Sequence, residues 1–379
     1  MAINKKIVEI LPALRMILSE DKIKVAKVSG SENGVEPQIK VKVSDDSSET
    51  IHQLKAQIEL FQQQNGVLPK VILLEGIGLV AVAETSFETE QLLLNQAFDE
   101  NIVAEGRAVG KTAIITGGAQ GFGGGLVESI IKDGGNVVIA DLNEEKGKAF
   151  AAALNQKSKY NKAHFVKVDV SDLASVDHLV YETVCEFGGF DVFISNAGVL
   201  RAGGLDEMTP EAFEFMTKVN YTGYFNCAKS ASPVLKLQTA NKPGYFADII
   251  QINSKSGLKG SNRNFAYAGG KFGGIGLTQS FALELMPSRV KVNSICPGNF
   301  FDGPLWSDPE KGLFVQYLNA GKVKGAKTIE DVKAFYEAQV PAGRGCTVLD
   351  VMRAVYYVME QEYETGQAIP VTGGQEMLK

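Results

Sequence analysis

Residues 112–125, TAIITGGAQGFGGG, decide the fold. An apolar run ending at Thr116 passes straight into a glycine-rich loop, and a helical pattern follows. Gly117, Gly121 and Gly123 suit a tight turn whose backbone lies close to a pyrophosphate. The next helix would turn its unpaired amino-terminal N–H groups to that anion. Gln120 and Phe122 lie within the same loop and are expected at the same surface. The stretch therefore predicts a dinucleotide cradle at the start of a βαβ series.

The series continues outward from it. Apolar runs at Val137–Ala140, Ala163–Val168, Val192–Ser195, Ala247–Ile252, Val290–Ile295 and Ala368–Val371 alternate with amphipathic segments. That alternation predicts an α/β fold: a doubly wound, Rossmann-type parallel sheet with helices on both faces. Ligands of such sheets sit outside the carboxyl ends of the strands. Thr116, Asp141, Asp169, Asn196 and Ser254 fall at those ends and should converge.

Asp141 closes NVVIAD, 24 residues after Gly117. An acid there accepts hydrogen bonds from ribose hydroxyls and repels a 2′-phosphate. Gln120 and Leu142 bring no compensating cation, so the sequence points to NAD rather than NADP. Asp169 and Val170 are expected near the adenine. In SNAG, residues 195–198, Asn196, Ala197 and Gly198 are small enough to let backbone lie against the cofactor.

The chemistry is expected in INSKSGLKGSNRNFAYAGGK, residues 252–271. Tyr267 and Lys271 are four residues apart and share a helix face. A tyrosine hydroxyl titrates near about 10, and a fixed ammonium is expected to lower that value. Tyr267 could then give or take a proton near neutrality. Ser254, just past a strand, could hold a substrate oxygen.

Composition bounds the rest. The chain has 379 residues, 45% hydrophobic and 22% charged, and a net charge of −6. It has no basic block, so nucleic acid and anionic membrane are not expected partners. The four cysteines form no CxxC pair, which suits reduced thiols and a cytoplasmic setting. Three scattered histidines argue against a metal site. No signal peptide or membrane span is expected. Residues 1–107 read as a small α/β unit of unassigned role, with alternating stretches at Ile23–Val28 and Gln38–Val43. Helices are expected at Ser48–Gln64 and Phe87–Glu105, and apolar runs lie at Pro69–Leu74 and Ile77–Ala83. Residues 108–379 form the nucleotide-binding unit.

Together these motifs resemble the short-chain dehydrogenase/reductase family. TGGAQGFG is similar to its TGxxxGxG loop, and SNAG to its NNAG with Ser195 in place of the first Asn. The resemblance implies a catalytic tetrad of Asn220, Ser254, Tyr267 and Lys271, and cofactor contacts at Pro297 and Gly298. It also implies a homo-oligomer, a tetramer by family habit. The small and apolar residues around the segment from Ala266 to Leu285 independently call for a covered outer face. The stretch QINSKSGLKGSNRN and the ending TGQAIPVTGGQ resemble sorbitol-6-phosphate 2-dehydrogenases. That implies oxidation of D-sorbitol 6-phosphate to D-fructose 6-phosphate with NAD. The family often places Thr five residues after the Pro of its PG motif; here Asp302 stands there, and that contact is not carried over. PKVILLEGIGLVAVAETS, in the first unit, resembles the segment joining the halves of bifunctional rhamnulose-phosphate aldolase/dehydrogenases, without the aldolase's metal histidines.

A phosphorylated substrate needs cations, and Lys255, Lys259, Arg263 and Arg344 are the candidates. Residues 299–345 form a long excursion carrying Trp306, Phe314 and Tyr317, expected to close over the cofactor as a lid. Another polyol, sugar or 3-oxoacyl carbinol fits the same motifs, as does an NAD-sensing protein without turnover.

Overall fold

A computed structural model describes residues 4–30, 34–98, 104–260, 262–319, 321 and 323–377. The first unit opens with α1 (Lys5–Ile17), capped by Asn4, whose side chain accepts from Lys6 N at 3.1 Å. Strands β1 (Val25–Ser29) and β2 (Ile39–Lys42) precede α2 (Ser47–Asn65), which ends at Gly66 in the left-handed region, φ 72°. Then come β3 (Val71–Glu75), β4 (Gly78–Ala83) and α3 (Ser86–Leu93). The sheet order is β1-β4-β3-β2. β4 runs antiparallel to both neighbours, while β2 and β3 are parallel, with α2 as their crossover.

The helix expected over Phe87–Glu105 stops at Leu93. Leu94 N–H turns back to Glu90 and Gln91, and Asn95 takes a left-handed φ of 53°, which an α-helix does not tolerate. Its last expected residues include 99–103, outside the described residues.

The second sheet has seven parallel strands: β5 (Thr112–Thr116), β6 (Asn136–Asp141), β7 (Ala163–Lys167), β8 (Val192–Ser195), β9 (Ala247–Ile252), β10 (Val290–Pro297) and β11 (Ala368–Val371). Their order is β11-β10-β9-β8-β5-β6-β7, a doubly wound arrangement. Successive side chains point to opposite faces. Ala113, Ile115, Val137 and Ile139 pack with α4 (Gly121–Lys132), α5 (Glu144–Asn155) and a last helix, Val348–Glu360. Between β8 and β10, beyond α6 (Leu173–Phe187), lie α7 (Pro210–Thr217), α8 (Gly223–Ala240) and α9 (Phe265–Leu285). Ile114 and Val138 face α6, α8 and α9. After β10 come α10 (Pro304–Ser307), α11 (Leu313–Asn319) and α12 (Ile329–Glu337), and the Val348–Glu360 helix is α13.

The two sheets share one hydrophobic core. Ile10, Leu11 and Leu14 of α1 lie in the same cluster as Val180 and Val184 of α6 and Ala231 and Leu235 of α8. Arg15 of α1 is fully buried, and its Nη2 meets Asp191 Oδ2 at 2.7 Å. Lys27 and Lys162 each pair with Glu90 and Glu186, tying β1 and α3 to α6 and β7. Residues 299–345 have a small core of their own, around Phe301, Trp306, Phe314, Val332 and Val340.

Candidate active site

A cavity of about 910 Å³ opens where the strands of the seven-stranded sheet end. Gly117, Gln120, Gly121 and Phe122 line one side of it. The loop can close this way only around glycine. Gly117 and Gly121 have φ of 63° and 62°. A Cβ on Gly123 would stand 2.1 Å from Gly117 O, so Gly123 lies beneath the cradle rather than on its wall. The first turn of α4 has no side-chain cap, so its N–H groups at Gln120–Phe122 are available to an anion. These features fit a dinucleotide pyrophosphate.

The next strand ends complete the wall. Asp141 Oδ2 accepts from Ala119 N at 3.0 Å and Oδ1 from Asn143 N at 2.9 Å, which fixes the carboxylate beside the loop. Asp141, Leu142, Asp169 and Val170 all line the cavity. Asp169 Oδ1 is tied to the Ser171 N–H at 2.9 Å and hydroxyl at 2.7 Å. Asn196, Ala197 and Gly198 also line it, but the Asn196 side chain is a stitch. Its Nδ2 donates to Thr116 O at 2.9 Å and Gly117 O at 3.2 Å, while Thr116 Oγ1 accepts from Asn196 N and Ala197 N. Pro297 and Gly298 close the wall at the end of β10.

At the chemical end, Ser254, Tyr267 and Lys271 line the cavity together. Lys271 Nζ donates to Ile252 O at 2.9 Å and stands 5.6 Å from the centre of the Tyr267 ring. Burial lowers the Lys271 ammonium to about 8, against a smaller upward pull from Cys296. Burial also raises Tyr267 above its ordinary value, and its hydrogen bond with Ser254 only partly offsets this. The expected lowering of Tyr267 by Lys271 is therefore corrected. Both groups lose hydration, and the ammonium is held by a backbone carbonyl rather than the phenol.

Asn220 lies off the wall, almost fully buried in a π-helical turn, Lys218–Thr222, between α7 and α8. Its Oδ1 accepts from Val199 N at 2.9 Å and its Nδ2 donates to Val199 O at 2.8 Å. A Cβ on Gly198 would lie 2.9 Å from Asn220 Oδ1 and 3.9 Å from Lys271 Nζ. Asn220 thus positions the loop after β8 against Lys271. Such turns recur at functional sites, and nothing in VNYTGYF announces one.

The four candidate cations separate. Lys255 lines the cavity, is lowered by burial against an upward pull from Glu376, and has no ion pair among the described residues. Arg263 lines the mouth and is paired with Glu207. Lys259 pairs with Glu376 at 3.5 Å, outside the lining. Arg344 gives Asp350 two hydrogen bonds, of 2.6 and 3.0 Å, and supports the cap of α13. Lys259 and Arg344 are therefore corrected: each is engaged by an acid away from the cavity.

Three further residues escaped the sequence. Phe300 stacks on Phe122, ring centres 4.4 Å apart, and so joins the excursion to the glycine loop. Lys146 Nζ lies 3.5 Å from Gln120 Oε1, a cation beside the loop that five residues of separation from Asp141 could have suggested. Asn264 lines the cavity three residues before Tyr267.

A family model described as short chain dehydrogenase matches residues 111–306. The chain belongs to the short-chain dehydrogenase family. It is 33% identical to a sorbitol-6-phosphate 2-dehydrogenase of Escherichia coli over 270 residues, 71% of this chain and 99% of that protein. A 3-alpha-(or 20-beta)-hydroxysteroid dehydrogenase of Mycobacterium bovis is 32% identical over 271 residues, 71% of this chain and 90% of that protein. The crystal structure of a sorbitol-6-phosphate 2-dehydrogenase from Erwinia amylovora matches with a TM-score of 0.64 at 35% identity, covering 70% of this chain and all of that one. The protein is thus a short-chain oxidoreductase with a Rossmann-like sheet. Among the described residues, no helix is long and apolar enough to cross a membrane.

Proposed function

We propose that this oxidoreductase uses NAD to oxidise a sugar alcohol phosphate, D-sorbitol 6-phosphate to D-fructose 6-phosphate. The observation that carries the phosphate is Lys255. It directly follows Ser254, lines the cavity, and has no acid paired with it among the described residues. The relatives named for this substrate supply the sugar. Asp141, held by Ala119 N beside the glycine loop, supports NAD over NADP.

Bound NAD supplies the hydride acceptor. In oxidation the Tyr267 phenolate would take the carbinol O–H proton, and in reduction the Tyr267 phenol would return it. Ser254 holds the substrate oxygen during the change and, through its hydrogen bond, draws the Tyr267 hydroxyl part of the way down, and Lys271 fixes the cofactor ribose. Asn220 positions the loop that packs against Lys271, and through it a water that relays the proton to solvent. Residues 299–345, joined to the loop through Phe300, close over the site and exclude water.

The exposed face of α9 supports a homo-oligomer, with a tetramer as the family's habit. Phe272 and Leu283 are 45% and 82% exposed there, and Gly269 and Gly276 open onto empty space. A monomer in sedimentation at micromolar concentration contradicts this. All four cysteines are free, which suits the cytoplasm. The family match begins at Lys111, so the first unit's ancestry rests on sequence resemblance alone. A second reading comes from Phe215, Leu305, Trp306 and Leu313 on the same wall: an apolar carbinol such as the hydroxysteroid relatives' names describe.

Lys255→Met separates the two. A charge-assisted contact contributes about 1.5–3 kcal/mol, or roughly tenfold to a hundredfold in kcat/KM. The variant should lose that factor on sorbitol 6-phosphate and none on sorbitol. An equal effect on both polyols, or parent enzyme that does not prefer the phosphorylated one, removes the phosphate reading.

A further inference from the structure

We infer that Asn264 is a specificity-determining residue, whose side-chain amide receives a hydroxyl on the carbon next to the carbinol being oxidised. The cavity then selects vicinal diols and polyols over carbinols with apolar neighbours. The inference rests on the dehydrogenase reading above but not on the phosphate.

Three observations carry it. Asn264 stands at the amino-terminal cap of α9, where an Asn side chain ordinarily accepts from an N–H one turn into the helix. Here it makes no such bond. Its Oδ1 is buried and meets no donor among the described residues. The other side-chain atoms in that state belong to Arg15, Thr112, Asp248 and Gln375, and none of those residues lines the cavity. Asn264 does line it, alongside Ser254 and Tyr267.

Buried polar groups in folded proteins are normally paired. One left open inside a substrate cavity, beside the proton-transfer group, is placed for a ligand. Asn264 caps the helix that carries Tyr267 three residues further on, and both line the same cavity. Placed so, the two would serve adjacent carbons of one small molecule. A hydroxyl both donates and accepts, so it satisfies either end of the amide. A methylene or methyl group there leaves the amide unpaired, and a site built to bond a hydroxyl rejects the analogue that lacks one.

The test compares butane-2,3-diol with butan-2-ol, and sorbitol 6-phosphate with its 1-deoxy and 3-deoxy analogues, in the parent and in Asn264→Leu. In the parent, removing the neighbouring hydroxyl should lower kcat/KM roughly tenfold or more. In Asn264→Leu that penalty should vanish, read as the ratio of kcat/KM for diol over mono-ol within each protein. A penalty that is absent in the parent, or that survives in the variant, overturns the assignment. Asn264→Ala gives the same comparison if the leucine disturbs the helix start. Failure of the phosphate reading looks different: sorbitol 6-phosphate is not preferred, while the diol still outruns the mono-ol through Asn264. If no alcohol turns over, calorimetric binding of diol and mono-ol to the NAD-loaded protein decides. Equal binding overturns the inference, and tighter binding of the diol that is lost in Asn264→Leu supports it.

Discussion

Arg15→Met should be one of the most damaging single changes in the chain, although it lies far from the cavity. Arg15 is fully buried, with Nη2 at 2.7 Å from Asp191 Oδ2 and Nε at 2.6 Å from Lys24 O. Asp191 is also buried, and accepts from Thr112 N at 2.6 Å and from the Tyr245 hydroxyl. Burial pushes the Asp191 carboxyl up, but Arg15, Lys111 and the hydrogen bonds outweigh it, and the net shift is downward. Removing one partner of a buried ion pair leaves the other charge uncompensated, at a cost of about 3–5 kcal/mol. Methionine keeps most of the packing volume, so the loss reports the charge. Asp191 has a depressed folded value, so its contribution is present above the unfolded carboxylate value and fades as pH falls through the folded one. The gap between parent and variant should therefore narrow on acidification. Urea unfolding followed by circular dichroism measures both effects, and Arg15→Met/Asp191→Asn should recover part of the loss. A cost below about 1 kcal/mol, the range of an exposed pair, would refute the claim that α1 is a working part of the dehydrogenase core.

Two more predictions concern the site. Gly123→Ala should abolish NADH binding in a fluorescence titration while the fold survives. Its Cβ would meet Gly117 O at 2.1 Å, and only reopening the loop relieves that; unchanged NADH affinity would contradict the cradle. Tyr267 is held above its ordinary value by burial and must lose its proton to act as base. Oxidation should therefore quicken as pH rises through the alkaline range and reduction should slow, and matching profiles in both directions would contradict this.

The sheet was legible because buried parallel strands are continuous apolar runs, as in Ala247–Ile252, and because glycines mark the first turn. The site was legible where chemistry is tied to spacing, as with Tyr267 and Lys271 on one helix face. What escaped depends on partners distant in sequence. Arg15 looks like any helical arginine until Asp191 arrives from 176 residues away. Arg344 and Lys259 read as free cations because nothing in the sequence shows which acids hold them. The rise of Tyr267 was missed because burial is a property of the assembled walls. The end of α3 turns on one left-handed residue, Asn95, and Asn tolerates that conformation without requiring it.

The most direct measurement is NADH formation with sorbitol 6-phosphate by the parent and by Tyr267→Phe, alongside NADH affinity for each. The parent should turn over, the variant should lose roughly 10²- to 10⁴-fold in kcat, and NADH affinity should be nearly equal in both. A variant that keeps more than about a tenth of the parent's kcat would contradict this, because general acid–base groups contribute far more than that.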